Sequence, residues 1–184
     1  MAEVGMGRLA TMAGLMAIGL ARGALAQAGP LDLLVGTDPD RFIARMTDLI
    51  AGFGGPNGLT ADGIADYIAL ERAGARATAM RRMLSMDLDG DGALDRVELA
   101  VNQRAAKASA RGQMERQFVA ADSDRDGRVS QVEMLADGQR AALRALGEDE
   151  ADALRALMSL DRDGDAAVTR DEVATAVLPV DQAT

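Results

Sequence analysis

The chain has 184 residues, with 20 Lys and Arg against 29 Asp and Glu, three Phe, one Tyr, and no Cys, His or Trp. Without Cys or His it has no disulfide, no thiolate or imidazole zinc site, no Cys nucleophile and no histidine general base. A net charge of −9 with 2% aromatic residues argues against nucleic acid as a partner, since that needs basic surface and stacking platforms, and points to a cation.

Residues 1–26 have the order of a secretory signal. Arg8 precedes an apolar run from Leu9 to Leu20, and the triplet Ala24-Leu25-Ala26 follows in A-x-A order, so cleavage is expected after Ala26. The run is well short of the ~20 residues of a spanning helix, and no Cys follows it to carry a lipid. The mature protein is therefore expected to be periplasmic or secreted, with no stable membrane insertion after cleavage. Residues 27–37 are expected to form an N-terminal tail.

Asp38 followed by Pro39 predicts a helix start, cap then first-turn proline. Phe42, Met46, Leu49, Ile50 and Phe53 continue it as an apolar stripe at helical spacing. A Gly-rich turn runs from Gly52 to Gly63. It has neither the following Lys nor the preceding strand of a phosphate loop. Ile64, Tyr67 and Ile68 then begin the next helix.

Downstream, the acidic charge is concentrated. Without residues 1–26 the chain holds 28 acids and 18 bases, and 14 of those acids lie in the three windows 87–98, 122–133 and 161–172. The rest of the chain is close to neutral, so this is not the diffuse charge of a solvated surface.

The windows repeat one pattern. The first runs from Asp87 through Asp89, Asp91, Gly92, Ala93, Leu94 and Asp95 to Glu98. The second has Asp122, Asp124, Asp126, Gly127, Arg128, Val129, Ser130 and Glu133 at the same places. The third has Asp161, Asp163, Asp165, Ala166, Ala167, Val168, Thr169 and Glu172. Side-chain oxygens recur at positions 1, 3, 5, 9 and 12, with a β-branched residue or Leu at position 8. This spacing resembles the EF-hand calcium loop of the calmodulin superfamily.

The chemistry accounts for the spacing. Ca²⁺ takes six to eight oxygens, and carboxylates at alternate positions of a tight turn converge on one point. Gly at position 6 permits a left-handed turn, and Glu at position 12 closes the shell with two oxygens. By this resemblance, position 7 contributes a carbonyl, that of Ala93, Arg128 or Ala167, which completes the expected metal ligands. The apolar residue at position 8 is expected to pair with its counterpart in a neighbouring loop. The third loop has Ala166 where the others have Gly, at a cost of about 1–2 kcal/mol for a Cβ in the left-handed region, and is expected to be the weakest of three Ca²⁺ sites. Loop 87–98 has five carboxylates at ligand positions against four in each of the others, because Asp95 stands where they have Ser130 and Thr169.

Apolar residues flank each loop at helical spacing. Met83 and Met86, Phe118 and Ala121, and Leu157 and Leu160 precede the loops, and Leu99, Met134 and Val173 follow them. Counting the Gly52–Gly63 turn, loops start at 52, 87, 122 and 161. This predicts an all-α fold of four EF-hand helix–loop–helix repeats in two pairs with short β-bridges between loops. The sequential pairs would be 38–109, comprising a ligand-free hand 38–73 and a calcium hand 74–109, and 110–178, comprising two calcium hands. Residues 179–184 would form a C-terminal tail. The first turn has Gly52, Gly54, Pro56 and Gly63 at ligand positions and cannot hold calcium.

The function expected is calcium binding in an exported protein, as a buffer or a calcium-stabilised or calcium-dependent interaction module. A second reading is a sensor that takes a target helix, protein or peptide, in a Met-lined groove, which suits the seven Met of the mature chain: Met46, Met80, Met83, Met86, Met114, Met134 and Met158. Against it, Met83, Met86 and Met134 are expected to fill the core in place of aromatics. A third reading, a lanthanide or other hard-cation carrier, is disfavoured because Leu88, Ser123 and Arg162 stand where known lanthanide loops have Pro. No enzyme is expected: the carboxylates are accounted for as ligands and no nucleophile motif is present.

Overall fold

The computed structural model describes residue 31 and residues 38–177, so the expected signal segment 1–26, all but one residue of the tail 27–37 and the tail 179–184 lie outside the described residues. Of what is described, 71% is helical, in seven α-helices with two small antiparallel sheets. No described helix is long and apolar enough to cross a membrane.

Helix α1, Pro39–Phe53, starts as its sequence predicts: Pro39 opens it and the Asp38 side chain accepts the Arg41 amide, with Phe42, Met46 and Leu49 on the buried face. A tight turn closed by paired hydrogen bonds between Gly55 and Gly58 leads into β1, Leu59–Thr60. Helix α2, Ala61–Leu84, is capped by Thr60, whose hydroxyl accepts the Gly63 amide, and runs 24 residues, about 36 Å. After loop 87–98 with β2, Leu94–Asp95, comes α3, Arg96–Ala105. Helix α4, Ala108–Ala121, leads through β3, Arg128–Val129, to α5, Gln131–Ala145. Helix α6, Glu148–Arg155, tightens into a 3₁₀ turn, Ala156–Leu160, and β4, Ala167–Val168, precedes α7, Arg170–Val177.

The four position-8 residues pair, but not in sequential order. Leu59 stands opposite Val168, and Leu94 opposite Val129. The first helix–loop–helix unit therefore joins the fourth, and the second joins the third. This corrects the expected sequential pairing of 38–73 with 74–109 and of the two downstream units with each other.

The physical reason lies in the connectors. Helix α2 passes without a break across residues 73 and 74, so it holds the Gly52–Gly63 turn and loop 87–98 at opposite ends of a rigid rod. They cannot meet. The chain bends instead at Ala106 and Lys107, both with extended backbone, and folds loop 122–133 back against loop 87–98.

Two cores follow from this nesting. Phe118, Met83, Met86, Leu94, Val129 and Met134 fill the inner pair, while Phe42, Met46, Leu59, Ile64, Leu157 and Val168 fill the outer one. Burying a side chain the size of Phe118 contributes roughly 1.5–3 kcal/mol. The predicted flanking positions are buried apart from Leu160, which is half-buried. The two halves join along α2 and α5, where Gly138 lies so close to Arg76 and Met80 that a Cβ there would sit 3.0 Å from the Arg76 Cγ. Arg72 adds a tie, its Nε donating to the Leu146 carbonyl at 3.0 Å and its guanidinium pairing with Glu148 at 3.2 Å. Arg45 joins α1 to α6 through Glu150 at 2.6 Å.

Candidate metal centres

Each acidic window closes on itself through its last residue. In loop 87–98, Glu98 Oε1 accepts from the Leu88 amide at 2.6 Å, and Oε2 from the Asp95 amide at 3.0 Å. Glu133 and Glu172 repeat this, receiving the Ser123 and Ser130 amides and the Arg162 and Thr169 amides respectively. The Glu thus pins the start of the loop to its end. For Glu133 the Ser130 amide bond, and for Glu172 the Thr169 amide bond, is the main reason that each carboxyl is held at about 2. Hydrogen bonds to the ionised form favour it.

The aspartates at positions 1, 3 and 5 shape the turn from inside. Asp87 accepts the Gly90 and Gly92 amides at 2.8 and 2.9 Å, and Asp161 accepts those of Gly164 and Ala166 at 2.8 and 3.0 Å. Asp89, Asp124 and Asp163 accept the amide two residues on, as do Asp91, Asp126 and Asp165. Short polar side chains that capture nearby amides in this way favour turns over helix.

Three carboxylate groups are brought together in each loop. Ligand oxygens of Asp87, Asp89 and Glu98 lie within 4.8 Å of one another, as do those of Asp122, Asp124 and Glu133 and those of Asp161, Asp163 and Glu172. Each trio could hold a metal ion. The other expected ligands occupy the same loops in different roles. Asp95, Ser130 and Thr169 cap α3, α5 and α7, and the Ser130 and Thr169 hydroxyls also donate to Glu133 and Glu172. Asp91 points one oxygen at the neighbouring loop, where Arg128 donates to it at 2.6 Å. Asp126 and Asp165 stand outside the trios. Ala93, Arg128 and Ala167 lie where each loop enters or meets its bridge, with their amides bound to Asp91, Asp126 and Asp165.

Two features were not anticipated from the sequence. Position 4 is left-handed in every acidic loop, at Gly90, Arg125 and Gly164, as well as position 6 at Gly92, Gly127 and Ala166. Loop 122–133 therefore carries one strained non-glycine residue just as loop 161–172 does. Gly90 and Gly164 hinted at this, and Arg125 concealed it.

The second feature is Asp122. Its residue is 7% exposed, its Oδ2 accepts the Gly127 amide at 3.2 Å, and its Oδ1 is buried with no hydrogen-bond partner. In the sister loops the equivalent oxygen receives the position-4 amide, which Arg125 does not supply. Such a group costs roughly 1–3 kcal/mol when left unpaired, and more when charged. Asp122 itself belongs to the trio with Asp124 and Glu133, so the donor set fits an all-oxygen cation site.

Comparison with protein-family models, curated proteins and solved structures returns no match to this chain.

Proposed function

We propose that the chain is an exported EF-hand protein that binds calcium in three loops and serves as a calcium buffer or calcium-stabilised interaction module. The observation that carries this reading is the buried, unpartnered Oδ1 of Asp122, a residue whose carboxylate clusters with those of Asp124 and Glu133. A cation is the partner that this oxygen lacks. Only oxygen ligands are offered, and with a bidentate Glu they outnumber what an octahedral ion takes, which suits Ca²⁺ better than a soft transition metal or Mg²⁺. The ion would be held by Asp87, Asp89, Asp91, Asp95 and Glu98 with the Ala93 carbonyl, and by the matching residues of the other two loops. Bound there, it would relieve the repulsion among the clustered carboxylates of each loop, and at 100 times its dissociation constant each ion would add ~2.7 kcal/mol.

The buffer or stabilising role is preferred over a target-binding sensor because Met83, Met86 and Met134 are buried at 2%, 5% and 1% exposure, as core rather than as the lining of an open groove. Export rests on the Arg8 to Ala26 pattern, and binding rather than catalysis on the engagement of every clustered carboxylate in loop closure.

Calorimetric titration of the full chain with Ca²⁺, paired with thermal melts in calcium and in chelator, tests this. Three equivalents, a melting temperature raised by calcium, and loss of one equivalent in Asp122→Asn are expected. Absence of binding heat together with a melting temperature indifferent to chelator would overturn it. The mass of the mature N-terminus checks cleavage after Ala26.

A further inference from the structure

A groove of about 710 Å³ runs between α2 from Leu70 onward, α4 and α5, and no residue of the three acidic trios lines it. Its volume is in the ~300–1,000 Å³ range of binding clefts. The floor is methyl-rich, from Ala75, Ala79, Ala120 and Ala141, and the exposed Leu70 stands at one end. Its edges are basic. Arg82 of α2, Arg116 of α4, and Arg140 and Arg144 of α5 face only two acids, Glu71 and Asp137.

Those charges are not cancelled internally. Asp137 serves both Arg140, at 3.3 Å, and Arg144, at 3.9 Å, while Arg140 also donates to the Ala120 carbonyl at 3.1 Å and so fixes the wall between α4 and α5. Among the described residues, Arg82 and Arg116 have no carboxylate within ion-pair distance. The groove thus carries an excess of two positive charges in a chain whose net charge is −9.

We propose that this groove docks an acidic amphipathic helix of a partner protein, its apolar face on the alanine floor and its carboxylates on Arg82 and Arg116. Guanidinium groups pair with carboxylates through two parallel hydrogen bonds, which gives orientation as well as attraction. The negative field of the whole chain turns away long polyanions such as nucleic acid, so the occupant is one whose negative charge is local and backed by apolar surface. This polarity is opposite to that of a groove for basic helices. The inference stands whether or not the loops bind calcium.

The test is fluorescence anisotropy of the full chain with a labelled synthetic helix that has a Leu and Ala face flanked by Glu, beside the same peptide with every Glu replaced by Gln. The Glu peptide is expected to bind at least roughly tenfold more tightly, with the advantage shrinking in high salt. The double substitution Arg82→Glu with Arg116→Glu falls on exposed side chains, so helicity and melting temperature are expected to persist while the Glu peptide is lost. A Lys-flanked peptide should then bind the variant in its place. Equal binding of the Glu and Gln peptides, no effect of the double substitution, or equal binding of a polyanion without an apolar face would each overturn the proposal.

Discussion

Arg128 reaches from one acidic loop into the next and donates to Asp91 Oδ2 at 2.6 Å, beside the backbone pairing of Arg128 with Asp95. Asp91 is the position-5 carboxylate of its own loop, outside the trio of Asp87, Asp89 and Glu98, and on the proposed reading a cation in loop 87–98 would compete with the guanidinium for it. Both side chains are about half exposed, and a pair of that kind is worth at most ~1 kcal/mol. Arg128→Ala is expected to tighten cation binding at loop 87–98 by up to about fivefold. Site-resolved calcium titration checks this; weaker binding at that loop would show that Arg128 orients Asp91 rather than competing for it.

Ala166 and Arg125 hold φ of 66° and 62°, where side chains other than glycine are strained. Replacing either by Gly relieves roughly 1–2 kcal/mol of strain, partly offset by the ~0.5–1 kcal/mol that glycine's freedom adds to the unfolded chain. Ala166→Gly is expected to strengthen binding in loop 161–172 a few-fold, and Arg125→Gly to do the same in loop 122–133. Titration of the two variants separates the loops. If only Ala166→Gly acts, the side chain of Arg125 compensates for its own strain.

Glu133 and Glu172 are held at about 2 from an ordinary value of 4.5 by the amides they accept. A carboxyl depressed in the folded state contributes stability above its unfolded value and loses it as pH falls through the folded one. The metal-free protein is therefore expected to weaken between about pH 4.5 and pH 2, with little change from pH 5 to 7 from this source. Urea unfolding in chelator across that range measures it. Glu133→Gln should flatten part of the slope; an unchanged slope would place the acid sensitivity elsewhere.

The first turn is held by close packing instead of carboxylates. A Cβ at Gly63 would collide with the Phe53 carbonyl oxygen, and one at Gly58, whose φ is 127°, would lie 2.7 Å from that of Val168. Ala at either position is expected to cost about 1–3 kcal/mol. Gly52→Ala is the control, since a Cβ there meets nothing within 4 Å and it lies in α1. That substitution should be stabilising by up to about 1 kcal/mol, as Ala is the better helix former. Chemical denaturation of the three variants, with Gly58→Ala also reporting on the pairing of β1 with β4, decides it.

How much was legible follows from the range of each interaction. The acidic loops were readable because the hydrogen bonds that close each one span ten residues or fewer, so Asp87, Gly92 and Glu98 carry their places in the turn in local spacing alone. The start of α1 at Asp38 and Pro39, the helical stripe that follows, and the burial of Met83, Met86 and Met134 were readable for the same reason: periodicity and capping are local properties. The pairing order was not. Ala105, Ala106 and Ala108 are strong helix formers on either side of the bend, while Gly74, a poor one, sits inside an unbroken α2. Propensity points to the wrong breakpoint in both places, and packing overrides it, because bending at Ala106 brings Leu94 onto Val129 above a shared core. The same closure buries Asp122 without a partner for Oδ1 and sets Arg128 against Asp91, relations between residues that only the folded chain makes neighbours.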